Sequence, residues 1–157
     1  MDTVSDFPHC LEASLRLLKY RPRSQAEIRQ RLTLRGFSEE AIAQVVVHLQ
    51  GQGWLDDEAF ARFWRQSRED HNPRSRRLLE RELKQKGIAS ELAQRTTQDM
   101  DEEVAAFQAA RKKLRLLSSR DYSTFQLKLG QFLRRRGFSW EVSRRAINRL
   151  WQERETS

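Results

Sequence analysis

The chain lacks the residues that staple, metallate or anchor a protein. Its single cysteine, Cys10, excludes an intrachain disulfide and fits a reducing compartment. The three histidines, His9, His48 and His71, are scattered, with no metal-ligand spacing to Cys10 or to an acid. No apolar run approaches the ~20 residues needed to cross a bilayer. The opening stretch from Met1 to His9 is polar and acidic and does not have the basic-then-apolar form of a secretion signal. The chain therefore reads as cytoplasmic. Strand signals are missing too: the one β-branched run, Val45-Val46-Val47, falls in helical spacing with Ile42 and Leu49.

Catalytic constellations are equally scarce. Neither a Ser-His-Asp nor a Cys-His arrangement is signalled. Gly51-Gln52-Gly53 is a helix stop and turn rather than a phosphate loop, because it precedes Trp54-Leu55 and carries no following Lys-Ser/Thr. Asp56-Asp57-Glu58 reads as the acidic first turn of a helix in preference to a metal or partner site. The expectation is a protein without enzyme activity, cofactor or metal.

Charge is abundant. The 30 Lys and Arg residues outnumber the 22 Asp and Glu residues, giving +8, and this favours polyanionic partners by attraction and counterion release. With 38% hydrophobic and 33% charged residues, the composition suits an elongated shape with a thin core better than a compact ball.

A repeat organises these residues. Leu32-Thr33-Leu34-Arg35-Gly36-Phe37, Leu83-Lys84-Gln85-Lys86-Gly87-Ile88 and Leu133-Arg134-Arg135-Arg136-Gly137-Phe138 place their glycines 51 and 50 residues apart. Four residues before each glycine is a leucine, and eight before is Ile28, Leu79 or Leu129, so one helix face is apolar. The glycine then supplies left-handed geometry, and the apolar residue after it folds back on the leucine. Ser24-Gln25-Ala26-Glu27 is a capping box, and Pro22 and Pro73 precede Ser24 and Ser75 in the same way.

The reading is all-α: three tandem three-helix, helix-turn-helix-like repeats at residues 8–55, 56–100 and 101–154. Helices are expected near 8–20, 24–35 and 38–50, then 57–71, 74–86 and 89–99, then 101–118, 122–136 and 139–154. Expected core residues include Leu11, Leu15 and Leu18 on the first helix, Phe60, Phe63 and Trp64 on the fourth, and Val104, Phe107 and Leu114 on the seventh. Most aromatics sit on apolar faces and read as core rather than as stacking platforms for bases. Trp140, at a helix start, is the ambiguous one.

Basic clusters supply the candidate contacts. The middle repeat has Arg65, Arg68, Arg74, Arg76, Arg77 and Arg81. The last has Arg111, Lys112, Lys113 and Arg115, then Arg134, Arg135 and Arg136, then Arg144 and Arg145. Guanidinium groups suit phosphate and carboxylate, although Glu80 and Glu82 also allow a solvated, salt-bridged helix face.

These strings, in this order, resemble the RecX regulatory family. The resemblance rests on Arg21-Pro22-Arg23-Ser24-Gln25-Ala26-Glu27-Ile28, on Gly53-Trp54-Leu55-Asp56-Asp57-Glu58-Ala59-Phe60-Ala61, on Pro73-Arg74, and on Leu133 to Val142 around Gly137. It implies a monomeric, elongated, curved stack of three-helix units. Such a stack binds the RecA filament on single-stranded DNA, lodges in its groove and suppresses ATP hydrolysis and strand exchange. It thereby restrains recombination, DNA repair and the SOS response. The resemblance also implies contact with DNA itself. Two departures are the bulky Trp54 and the missing proline before the middle helix of repeat three. A different reading is a helix-turn-helix regulator acting directly on duplex DNA. Its base-reading faces would be Glu39, Glu40 and Gln44, then Glu91 and Gln94, then Glu141, Arg144 and Arg145, and only the last is basic.

Overall fold

A computed structural model describes residues 3–114 and 121–156. Its helices are α1 Thr3–Tyr20, α2 Gln25–Leu34, α3 Glu39–Gly51, α4 Asp57–His71, α5 Arg76–Gln85, α6 Ser90–Thr97, α7 Glu102–Leu114, α8 Tyr122–Arg135 and α9 Trp140–Thr156. The described residues contain no strand, and the fold is a tandem array of three-helix units.

The ends differ from expectation in instructive ways. Helix α1 begins five residues before Pro8, which stands inside its second turn and forgoes one backbone hydrogen bond there. Helix α5 begins at Arg76 rather than residue 74, since Ser75 is its N-cap: the Leu78 N–H donates to Ser75 Oγ (3.0 Å). Residues 115–118 of the expected seventh helix, and Arg115 with them, lie outside the described residues.

Each repeat ends its middle helix in the same turn. Gly36, Gly87 and Gly137 have φ of 87°, 84° and 88°. The next residue's N–H reaches back to the leucine carbonyl: Phe37 to Leu32 (3.3 Å), Ile88 to Leu83 (3.0 Å) and Phe138 to Leu133 (3.0 Å). The glycine N–H bonds the carbonyl after that leucine, completing the two-bond C-terminal motif. All three leucines are buried without exposed surface.

The turns then receive a neighbour. Ser24 Oγ donates to the Lys86 carbonyl (2.6 Å), and the Ser75 N–H donates to the Arg136 carbonyl (2.9 Å). In each case the start of one repeat's middle helix rests on the glycine turn of the following repeat. The first free N–H of that helix is also claimed from the following repeat. Gln25 N–H donates to Asp57 Oδ1 (2.8 Å), and Arg76 N–H donates to Glu102 Oε1 (2.6 Å). Asp57 and Glu102 hold equivalent places, one residue after Asp56 and Asp101, which cap α4 and α7 themselves. One acidic stretch thus caps its own helix and secures the preceding repeat. Helix α8 opens differently: Asp121 caps it, and Phe125 stands buried where repeats one and two have Ser24 and Ser75. That substitution accounts for the missing proline, since α8 runs on through the position where α2 and α5 begin.

Packing gathers the chain into two compact units, Met1–Trp64 with Leu83–Ala93, and Arg65–Glu82 with Gln94–Ser157. In the first, α1, α2 and α3 enclose Cys10, Ala13, Leu17, Ile28, Leu32, Val45, Val46 and Leu49, while Phe60, Ala61, Leu83, Ile88 and Ala93 form a second cluster. In the second, α7, α8 and α9 enclose Ala106, Ala109, Ala110, Phe125, Leu129, Leu133, Phe138, Ile147 and Leu150.

Three expected core residues are exposed: Leu15 (39%), Phe63 (40%) and Val104 (48%). The buried faces of α1 and α7 are instead Cys10, Ala13, Ser14 and Leu17, and Ala106, Ala109 and Ala110. Small residues let α1 approach α3, and α7 approach α9, closely enough to fill the core from the partner helix. Choosing the face by its largest side chains therefore mis-set it.

Two outcomes are expected. A Cβ built on Gly36 meets open space, whereas one on Gly87 collides with the Ala26 Cβ and one on Gly137 with Ser75 and Leu78. Gly36→Ala should cost about 1–2 kcal/mol for left-handed backbone alone. Gly87→Ala and Gly137→Ala should cost about 3 kcal/mol or more, with overpacking added, as read by urea denaturation. The second outcome concerns the Cys10 thiol, which burial and then the nearby Asp6 charge push up from 9.0 to about 11. Below the unfolded value the thiol is protonated in both states. Above it the unfolded chain ionises while the folded one does not, so stability should fall as pH rises from about 9 to 11, by up to about 2–3 kcal/mol. Cys10→Ala should flatten that part of the stability–pH curve.

Candidate partner-binding site

Of the fifteen basic residues singled out above, the fourteen other than Arg115 are described; all of these lie in the second unit, and their surroundings sort them. Seven are engaged internally. Arg65 straps α4 to the end of α6, bonding Glu69 (2.8 Å), the Thr96 carbonyl (2.7 Å) and Asp99. Burial works against its charge, and the bonds to Glu69 and Asp99 outweigh that, so its pKa is raised. The same hydrogen bond with Arg65, reinforced by its charge, lowers the pKa of Asp99.

Arg68 and Arg74 converge on Glu82, with Arg68 Nε 3.0 Å from Oε1 and Arg74 bonded to the other oxygen. The Arg74 and Glu82 side chains are only 9% and 13% exposed, so this pair belongs to the interior. Arg136 and Lys113 both lie over the Phe132 ring, 5.2 and 5.4 Å from its centre. The pKa of Arg136 is lowered, first by burial and then by the positive charges of Arg74, Arg68 and Arg135. Lys112 donates to the Asp70 carbonyl, and Arg145 is held by Glu103 (2.5 Å) and Glu141 (3.0 Å).

The other seven are open. Among the described residues, Arg76, Arg77, Arg81, Arg111, Arg134, Arg135 and Arg144 have no carboxylate partner. Five of them meet in one place. The start of α5 and the turn from α8 to α9 form a groove of about 740 Å³, lined by Arg76, Arg77 and Arg81 on one side and Arg134 and Arg135 on the other. Its floor is apolar, from Leu78, Phe138 and Val142. Two acids, Glu80 and Glu102, also line it, and Glu102 Oε1 is taken by the Arg76 N–H. Arg111 lines a separate hollow beside the acidic Glu69 and Asp70.

The groove exists because of the repeat joint. The Ser75–Arg136 bond and the close seat of Gly137 bring the first turn of α5 against the last turn of α8. Five guanidinium groups on a shallow apolar floor can take phosphates or carboxylates by forked hydrogen bonds. The arginine runs were visible in the sequence, but of the residues that bring them together, Ser75 and Gly137 were visible only as helix-start and turn signals. Among the described residues no group of three His, Cys, Asp or Glu side chains is placed to hold a metal. No helix among them is long and apolar enough to cross a membrane.

Family models of RecX match three successive stretches of the chain: the first three-helix domain at 10–49, the second at 56–96 and the third at 101–147. The chain belongs to the RecX family. It is 32% identical over 139 residues to the regulatory protein RecX of Chlorobium limicola, covering 88% of this chain and 87% of that one. It is 35% identical to that of Chlorobaculum tepidum, covering 87% and 85%. The crystal structure of RecX from Lactobacillus salivarius superposes with a TM-score of 0.75 at 21% identity, over 94% of this chain and 97% of that one, and shares the fold. This RecX-family chain is accordingly a regulatory protein.

The sorted arginines yield a stability test. Arg74→Ala leaves Glu82 short of its buried partner and should cost about 3 kcal/mol. Arg77→Ala and Arg135→Ala, in the groove, should each stay within about 0.5 kcal/mol of the parent by chemical denaturation.

Proposed function

We propose that this chain is a non-enzymatic modulator of the RecA filament on single-stranded DNA. It slows the filament's ATP hydrolysis and strand exchange and so restrains recombination, DNA repair and the SOS response. In this reading it acts in the cytoplasm as a monomer and needs no cofactor. The observation that carries the reading is the groove of five unpaired arginines in a chain of a regulatory family. A filament of protein on nucleic acid offers both phosphate and carboxylate, and contacts repeated along a stack strengthen one another.

The helix-turn-helix alternative draws less support. Third helices would have to enter a major groove, and α3 and α6 present the acidic Glu39, Glu40 and Glu91 at their starts. On α9, Arg145 is already bound to Glu103 and Glu141, leaving Arg144 alone.

Titrating the chain into RecA, single-stranded DNA and ATP should lower the hydrolysis rate while RecA stays on the DNA. Arg134→Ala with Arg135→Ala should raise the amount required roughly tenfold, with helicity by circular dichroism unchanged. An unchanged hydrolysis rate with the parent chain, together with tight salt-dependent binding to duplex DNA, would instead favour the direct DNA-binding role.

A further inference from the structure

We infer that Trp140, flanked by Arg134 and Arg144, is a stacking platform through which this chain holds a base of single-stranded DNA directly. The choice of DNA rests on the filament reading above, while the platform itself rests on the following geometry.

Trp140 opens α9 and lies against the middle of α8. A Cβ at Gly130 would stand 3.4 Å from its Cζ3, so the glycine makes the seat that the indole occupies. More than half of the side chain nonetheless faces solvent, at 55% exposure. The other aromatic rings of this unit are covered. Trp151 meets Tyr122 and Phe125, Phe107 lies under Arg149, and Phe132 lies under Lys113 and Arg136. Among the described residues no ring and no cation covers Trp140.

Helix register sets an arginine on either side of this open ring. Arg134 is one turn beyond Gly130 on the same face of α8, and Arg144 is one turn beyond Trp140 on α9. Both are exposed, and neither has an internal carboxylate partner among the described residues. Arg134 also belongs to the arginine groove, so the platform is continuous with it. An exposed, seated aromatic beside unpaired guanidinium groups is the arrangement that stacks an unpaired base while holding its flanking phosphates. A duplex keeps its bases stacked on each other and can use only the arginines. The chemistry therefore selects a single strand. Trp54 supplies an internal contrast. It is as exposed, at 61%, but stands in the turn after α3 in the other unit, outside the arginine groove.

The test uses the full chain without RecA, so that it can fail independently of filament modulation. Binding of labelled oligo-dT and of a duplex of equal length is followed by fluorescence anisotropy across a salt series. Trp140→Ala should weaken oligo-dT binding roughly tenfold and leave duplex binding within about twofold. Trp140→Phe should retain most of the affinity, and Trp54→Ala should change neither. Arg134→Ala with Arg144→Ala should weaken both ligands and flatten the salt dependence. Oligo-dT should quench the indole emission of the parent chain and leave that of Trp140→Phe nearly unchanged. The inference is overturned if the parent chain does not bind oligo-dT, or if Trp140→Ala binds it as tightly as the parent. It also falls if Trp140→Ala loses single strand and duplex equally. Binding of polyglutamate as tight as oligo-dT, with both indifferent to Trp140→Ala, would mark a surface that reads charge alone. Loss of oligo-dT binding with RecA inhibition intact would leave the filament reading standing without a protein–base contact. An unchanged RecA rate with oligo-dT binding intact would do the reverse.

Discussion

The first N–H groups of a helix have no partner within it, and a buried helix start must find one elsewhere. Here α2 and α5 find theirs in the next repeat, through Asp57 and Glu102, while their serine caps rest on the next repeat's glycine turn. Much else depends on this contact. It requires glycine at 87 and 137 on two grounds, backbone angle and space, where Gly36 answers to the first alone. It also fixes how closely one middle helix approaches the next. In the second unit the same joint brings the arginines at the start of α5 against those at the end of α8.

The charge distribution follows from that placement. Fourteen described basic residues between Arg65 and Arg145 invite a reading of one broad positive face, but the fold uses half of them for its own purposes. Arg74 and Arg68 close on Glu82, Arg65 ties α4 to the end of α6, and Phe132 is covered by two cations. Exposed ion pairs add little stability, whereas the nearly buried Arg74–Glu82 pair cannot lose one member cheaply. What remains open is narrower and better placed than the composition suggests, with five arginines about one apolar groove and Trp140 at its edge. The engaged and open groups differ by their neighbours, not by residue type.

Helix α1 and helix α7 show where pattern reading loses precision. Both carry enough apolar residues that two adjacent stripes are plausible, and the larger side chains draw the eye. The burial of Ala13, Ser14, Ala106, Ala109 and Ala110 reflects how near α3 and α9 come, which is a property of the packed units. Trp140 is a similar case. Its helical position left it between core and surface, and only the seat at Gly130 shows a ring both held and open.

The sequence by itself determined the helical class, the threefold period and the chemistry of each turn, because these depend on local rules. Glycine permits left-handed backbone, serine and aspartate cap, and leucines at helical spacing share a face. It also determined the family, since the strings recur in order along nearly the whole chain. The tertiary structure alone decided which arginines are free, which stripe of α1 and α7 is buried, and that Asp57 and Glu102 serve the preceding repeat. Those outcomes join residues tens of positions apart. Distance along the chain carries no record of which carboxylate a guanidinium will meet once the helices have closed on one another.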